Sequence, residues 1–265
     1  MLVVVAAVAV FVAAGTSPST IAGYQNIESI DDLDVLREGP QPSLTIGQGF
    51  LNTKPLTDNA LKGKVVVYDF WTYSCINCVR TLPYLRAWHE RYARDGLVLV
   101  GVHSPEFQFE KDHGNVRDAV KRLDVTYPVV FDDDMDIWNA FKNQYWPAKY
   151  VTDRDGDVRY AHFGEGEYSQ TENVLRVLLG VDQDSPRAAD PRQPESKLTA
   201  AVTRETYLGT ERGGTTRVKL GGRWSEHEEH VESTTAHEVL DIEYLAGEVN
   251  LVMDRTVKNP TFAVV

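Results

Sequence analysis

The sequence has few cysteines and few basic side chains, and each shortage narrows what the protein can do. Its 265 residues include 27 Lys and Arg against 39 Asp and Glu, giving a formal net charge of −12. Nucleic-acid binding needs clustered positive charge, and no basic stripe is present, so nucleic acid is disfavoured as a partner. The only cysteines are Cys75 and Cys78. Because no second Cys pair exists to complete four zinc ligands, no metal site is predicted.

The start of the chain is apolar and uncharged. Residues 1–27 contain no charged side chain, and residues 2–14 form a continuous apolar run. That length suits the hydrophobic core of a signal peptide better than a full membrane span. The tail of a transmembrane helix and a buried core helix remain alternatives. We expect residues 1–22 to be a membrane or signal-like segment, and the protein to be associated with the cell membrane on its extracytoplasmic side.

Strand-like and helix-like patterns alternate through the middle of the chain. From residue 65 to residue 179 the order is β-α-β-α-β-α-β-β-α, which predicts an α/β domain over residues 43–180 with a central mixed sheet and helices on both faces. Polar, proline-containing stretches predict linkers at residues 23–42 and 181–200. Strand-like runs predict a smaller β-rich module at residues 201–265, which we expect to be an incomplete β-sandwich.

The two cysteines stand as Cys75-Ile76-Asn77-Cys78, between a strand-like run at residues 65–71 and a predicted helix. A dithiol at this spacing can close into a small disulfide ring and open again, and a helix N-terminus stabilises a thiolate on the first Cys. A structural disulfide is the alternative, but so short a loop constrains the unfolded chain little. The pattern therefore predicts a redox site.

The residues around this pair resemble a known family. The segment from Asp69 to Cys78, with Pro83 five residues further on, resembles the thioredoxin superfamily and, more narrowly, the TlpA/ResA-type extracytoplasmic reductases. Four longer runs resemble the soluble C-terminal region of the DipZ subfamily: residues 71–78, 101–107, 143–150 and 162–166. In that subfamily a CcdA-like membrane domain precedes the thioredoxin-like domain, and a β-rich, carbohydrate-binding-like module follows it.

The resemblance implies a thioredoxin-like fold and partners of three kinds. These are disulfide-containing protein substrates, a CcdA-like membrane electron donor, and cell-envelope carbohydrate as a ligand of residues 201–265. No cofactor is implied. The activity expected is reduction of protein disulfides.

The resemblance also implies roles for single residues. Cys75 is the attacking nucleophile, and Cys78 is the resolving thiol. Asp69 matches the buried acid of thioredoxins and is the expected base for Cys78, because an apolar strand should raise the pKa of its carboxyl. Pro147 matches the cis-proline that faces the Cys pair. The predicted substrate contacts are Trp71, Tyr73, Ser74, Ile76, Asn77, Trp146 and Pro147, with core packing an equal alternative for Trp71.

Two other functions remain open from the residues alone. A thiol peroxidase on the same fold carries Pro-x-x-x-Thr-x-x-Cys; Thr72 fits the threonine, but Tyr68 stands where the proline belongs. A cell-envelope glycan-binding protein with a structural disulfide would use aromatic side chains of the second module to stack on sugars. Tyr207, Trp224 and Tyr244 are the candidates for that stacking.

Overall fold

The computed structural model describes residues 3–11, 33, 39–182, 184–191, 205–212, 218–233, 235, 238–245 and 248–255. They belong to two units, one of residues 16–193 and one that joins residues 1–15 to residues 194–265. The strands are β1 (Val3–Phe11), β2 (Gly49–Leu51), β3 (Val65–Trp71), β4 (Leu97–His103), β5 (Val129–Phe131), β6 (Ala148–Thr152), β7 (Val158–Phe163), β8 (Thr206–Tyr207), β9 (Val218–Gly221), β10 (Trp224–Glu226), β11 (Val231–Ser233), β12 (Val239–Ile242) and β13 (Glu248–Arg255). The α-helices are α1 (Asp58–Leu61), α2 (Ile76–Tyr92), α3 (His113–Arg122), α4 (Asp136–Ala140) and α5 (Tyr168–Leu179).

The larger unit is built on one six-stranded sheet with the order β2-β5-β4-β3-β6-β7. Strands β3, β4 and β5 run parallel, while β2, β6 and β7 pair antiparallel with their neighbours. This confirms the predicted mixed sheet and the predicted order of elements from β3 to α5. The short strand β2 and helix α1 come before that predicted series.

The central strand β3 is buried along its whole length because helices cover both of its faces. Val65, Val67 and Trp71 belong to the core that includes α2, α3 and α5. Val66, Tyr68 and Phe70 belong to the core that includes α1 and α4. Since side chains alternate along a strand, Asp69 is placed on the same face as Val67 and Trp71, toward α2.

The smaller unit consists of antiparallel strand pairs, as the strand-like runs of residues 201–265 predict. Strand β1 pairs with β8, β11 and β13, β10 pairs with β11, and β9 pairs with β12. A small core forms around Leu208 and Val231. Trp224 packs against that core, and its indole N–H donates to the Gly221 carbonyl at 3.2 Å.

The apolar start of the chain forms a strand and not the helix that a signal-peptide core, a membrane span or a buried core helix would adopt. Its Val residues suit a strand, and an apolar run of this length does not distinguish strand from helix by periodicity. Residues 12–22 lie outside the described residues, as do most of the predicted linker at 23–42 and residues 192–200 of the second linker. Among the described helices, none is long and apolar enough to span a membrane. The domain bounds and the membrane or signal role remain predictions.

Candidate active site

The two cysteines lie at the start of α2, on the turn that follows β3. Cys75 is the N-cap residue of α2, and the Cys78 backbone N–H donates to its Sγ at 3.4 Å. Both side chains are free thiols, with Cys75 partly exposed and Cys78 fully buried. An incoming disulfide can therefore reach Cys75, whereas Cys78 is reached only from within the protein.

The environment of Cys78 opposes its ionisation. Burial raises the pKa of the Cys78 thiol well above its ordinary value, and the neighbouring Cys75 sulfur and the Asp69 charge act in the same direction. A hydrogen bond to the Thr72 backbone acts against this rise. Cys78 thus needs a nearby base before it can act as a nucleophile.

Asp69 is a fully buried carboxyl beneath the Cys pair. Burial raises the pKa of Asp69 to about 7, and the opposing charge of Lys149 limits the rise. Neither carboxylate oxygen has a hydrogen-bond partner within the described part of the chain. A carboxyl with a pKa near neutrality can both accept and release a proton at physiological pH, which suits a general base.

Lys149 is a functional candidate that the sequence analysis missed. It lies opposite Asp69 in the register of β3 and β6, with Nζ 3.9 Å from Asp69 Oδ1 and both side chains fully buried. Burial lowers the pKa of Lys149, while the charges of Asp69, Cys78 and Glu165 oppose that change. The available signal is a single Lys inside the apolar strand that follows the proline, but only the register shows that it meets Asp69.

Tyr127 completes the buried polar group around Asp69. Its ring is fully buried, and its Oη has no hydrogen-bond partner among the described residues. Burial raises the pKa of Tyr127 well above its ordinary value, and the nearby charges of Asp69 and Cys78 act in the same direction. Asp69, Cys78, Lys149 and Tyr127 therefore share one site of low polarity in which charge is costly.

The proline loop has the geometry that the resemblance implies. The Trp146–Pro147 peptide bond is cis, and the Pro147 carbonyl accepts a hydrogen bond from the Gly164 N–H at 2.7 Å. Pro147 is buried, while Trp146 is partly exposed and tilts against Trp138 at a centroid distance of 4.0 Å. Trp146 is thus accessible to a substrate. That Trp146 and Pro147 contact the substrate remains a prediction.

The other predicted contacts divide into exposed and buried residues. Tyr73, Ser74, Ile76 and Asn77 are partly exposed on either side of Cys75 in the chain. Trp71 is fully buried and packs edge-on against His103. Its position favours the core-packing alternative over direct contact with a substrate.

Thr72, the residue that fits the peroxidase pattern, is buried and already engaged. Its Oγ1 lies 3.5 Å from His103 Nε2, and it also hydrogen-bonds to the Glu110 carboxylate. Glu110 is another fully buried carboxylate, and the sequence analysis missed it.

Comparison with known proteins supports the same redox chemistry. The model of the AhpC/TSA family matches residues 39–161. Protein DipZ of Mycobacterium tuberculosis is 42% identical over 177 residues, which are 64% of this chain and 26% of DipZ. The thiol-disulfide oxidoreductase YkuV of Bacillus subtilis is 32% identical over 146 residues, which are 54% of this chain and 97% of YkuV.

The comparison with solved structures supports the fold. The crystal structure of a thioredoxin-like superfamily protein matches with a TM-score of 0.50 at 23% identity, covering 53% of this chain and 96% of that protein.

The chain spans about a quarter of the length of the DipZ protein, at 26%.

Proposed function

We propose that this chain, which belongs to the thioredoxin-like thiol–disulfide oxidoreductases, reduces protein disulfides on the extracytoplasmic side of the cell membrane. The observation that carries the proposal is the arrangement of an accessible Cys75 above a buried Cys78, with Asp69 and Lys149 buried beneath them. The arrangement supplies an outer nucleophile, an inner resolving thiol and a base that titrates near neutral pH.

The first step is attack on the substrate. The Cys75 thiolate attacks one sulfur of the substrate disulfide, forming a mixed disulfide and breaking the substrate S–S bond. The other substrate sulfur leaves as a thiolate and takes a proton from solvent. The partial exposure of Cys75 supports its assignment as the attacking sulfur.

The second step releases the substrate. Asp69 accepts the proton of Cys78, and the Cys78 thiolate attacks the Cys75 sulfur. A Cys75–Cys78 disulfide forms as the mixed disulfide breaks, and the second substrate sulfur leaves reduced. The substrate has then gained two electrons, and the protein dithiol has lost them.

The electrostatics of the site favour the reducing direction. A strong disulfide donor is one whose reduced form is stabilised, and stabilisation of its thiolate contributes to this. Here burial and the Asp69 charge oppose a thiolate on Cys78. Opposition to the Cys78 thiolate disfavours the reduced form and leaves the disulfide form favoured, so the dithiol tends to give up its electrons.

The compartment and the electron donor extend the proposal beyond the site. The similarity to DipZ supports an extracytoplasmic, membrane-linked location. We assign re-reduction of the Cys75–Cys78 disulfide to a CcdA-like membrane donor. Cell-envelope carbohydrate as a ligand of the smaller unit is part of the same proposal.

The test is to measure both the activity and the potential of the Cys pair. The reduced protein should reduce insulin disulfides, and Cys75→Ser should abolish this activity. Cys78→Ser should accumulate the mixed disulfide, because the resolving thiol is absent. Equilibration with glutathione should give a potential near that of thioredoxin, roughly −270 mV. A value near roughly −120 mV would show a disulfide donor and would overturn the proposed direction.

The same preparation distinguishes the peroxidase alternative. A thiol peroxidase would consume hydrogen peroxide faster than it reduces insulin. We expect the reverse, since the Thr72 side chain is buried and hydrogen-bonded to Glu110.

A further inference from the structure

Glu110 is a fully buried carboxylate, and one of its partners, Ser74, directly precedes Cys75 in the chain. Ser74 Oγ donates to Glu110 Oε1. The backbone N–H groups of Glu106 and Phe107 donate to Oε2 at 2.6 and 3.0 Å. The Thr72 side chain also hydrogen-bonds to this carboxylate. These partners supply O–H and N–H donors, and an ionised carboxylate can accept their hydrogen bonds at both of its oxygens.

These bonds favour the ionised form of the Glu110 carboxyl. Burial raises the pKa of Glu110, and the bonds from Ser74, Thr72 and the two backbone groups oppose that rise. A buried carboxylate without such donors would be protonated or would destabilise the fold. When Glu110 is ionised, its hydrogen bonds to Ser74 and Thr72 are charge-assisted and stronger than neutral ones.

Residues 104–111, here called the clamp segment, connect the two loops that border the Cys pair. On one side the Ser104 N–H donates to the Trp71 carbonyl at 3.2 Å, and Tyr73 Oη donates to the Phe109 carbonyl at 3.2 Å. On the other side Trp146 Nε1 donates to the Ser104 carbonyl at 3.0 Å. The segment thus contacts both the Cys turn and the loop of the cis-proline.

We propose that Glu110 is a positioning residue for Cys75, acting through Ser74 and Thr72. By fixing these two side chains it holds the turn that keeps Cys75 Sγ over the first turn of α2, where the Cys78 N–H donates to it. The inference rests on the proposed function, because its effect is on the sulfur that attacks the substrate. Glutamine cannot take over the role of Glu110. One carboxylate oxygen would become an NH2 group, which is itself a donor and cannot accept the hydrogen bonds that this oxygen receives.

The test compares Glu110→Gln, Ser74→Ala and the double variant with the unchanged chain. Asp112→Asn is the matched control, because it removes a carboxylate next to the clamp segment. Its Oδ1 can still accept from Gly114 and Asn115 at the start of α3. Three quantities are measured: the pH midpoint of Cys75 alkylation, the equilibrium with glutathione, and the thermal midpoint of unfolding.

A loosened turn withdraws the helix N-terminus from the Cys75 thiolate. Glu110→Gln should raise the alkylation midpoint and shift the glutathione equilibrium about fivefold toward the protein disulfide, the size of a lost N-cap interaction. Ser74→Ala should shift both in the same direction, and the double variant should exceed Glu110→Gln by little, because the two residues act through one bond. Asp112→Asn should leave both quantities unchanged.

Two results would overturn the inference. A lower alkylation midpoint in Glu110→Gln would show that Glu110 acts as a charge opposing the thiolate. Unchanged redox values with a lower thermal midpoint would show a purely structural role. If Glu110→Gln does not fold, the same three quantities measured on Ser74→Ala test the inference. In each case insulin reduction by the unchanged chain still reports on the proposed function separately.

Discussion

Asp69 and Lys149 are opposite charges that the fold holds in an apolar core at 3.9 Å, beyond normal hydrogen-bond distance. Burial raises the pKa of Asp69 and lowers the pKa of Lys149, and in both cases the partner's charge only reduces the change. Desolvation therefore outweighs pairing at both residues, as is common for buried ion pairs. The pair keeps Asp69 close to half-protonated at neutral pH, which is the state a proton shuttle needs.

Lys149→Met should slow release of the substrate. The Lys149 charge offsets part of the desolvation of Asp69, so its loss should raise the pKa of Asp69 above 7. A rise of one unit lowers the ionised fraction of Asp69 at pH 7 from about a half to about a tenth, so the resolving step should slow roughly fivefold near pH 7 and recover at higher pH. The measurement is the rate at which the mixed disulfide resolves, as a function of pH.

The groups that face Lys149 define how this profile is interpreted. They are Asp69, Cys78, Glu165 and His162, and burial lowers the pKa of His162 to about 4, so it is neutral through the range measured. Lys121→Met, at an exposed position on α3, is the matched control and should leave the profile unchanged. An identical profile for Lys149→Met and the unchanged chain would contradict a role of Lys149 in tuning Asp69.

Asp69→Asn should stabilise the protein more at pH 8 than at pH 5. The pKa of Asp69 is raised to about 7 in the folded state, above its ordinary value of 3.8. The folded state therefore holds the proton more tightly, so stability is greatest below pH 4 and falls as pH rises toward 7. An asparagine does not titrate, so its gain in thermal midpoint should grow between pH 5 and pH 8. An equal gain at both pH values would show that Asp69 ionises normally in the fold.

At the scale of elements, local patterns predict the strands and helices of the larger unit, while contacts between elements require the fold. The apolar run at 65–71 predicts β3, and Cys75 marks the start of α2, because both signals lie within a few neighbouring residues. The Asp69–Lys149 pair depends on the register of β3 against β6, which are far apart in the chain. Glu110 likewise meets Ser74 across a separation of 36 residues.

The start of the chain shows the limit of local patterns most clearly. Its apolar run fits a helix or a strand equally by composition, and its strand β1 depends on partners near the other end of the chain. No sequence pattern within residues 3–11 predicts which strands those partners are.

Gly101→Ala should destabilise the larger unit. A Cβ at Gly101 on β4 would lie 2.8 Å from Trp71 Nε1 and 3.3 Å from the Tyr127 ring, so Trp71 would have to move. Overpacking of this kind costs about 1–3 kcal/mol, which denaturant titration can measure. Trp71→Phe in the same chain should recover part of the loss, since the smaller ring frees the space. No loss in Gly101→Ala would show that Trp71 has room to shift.

At the scale of the whole molecule, the scarcity of cysteine makes the location of the redox site measurable. The chain has two cysteines, and Cys78 is fully buried while Cys75 is partly exposed. A thiol reagent applied to the native protein should therefore label Cys75 alone. Labelling of the chain by such a reagent therefore reports the compartment of the site, and no additional cysteine has to be introduced.

A membrane-impermeant maleimide should label the chain in intact cells if the proposed extracytoplasmic location is correct. The measurement is labelling before and after lysis, with Cys75→Ser as the control that should lose the signal and Cys78→Ser as the control that should keep it. Prior treatment with a permeant reductant ensures that the Cys pair is in its dithiol form. Labelling that appears only after lysis would place Cys75 inside the cell and would remove the membrane donor from the proposed cycle. Labelling before lysis would place the dithiol where protein disulfides persist and need a reductase.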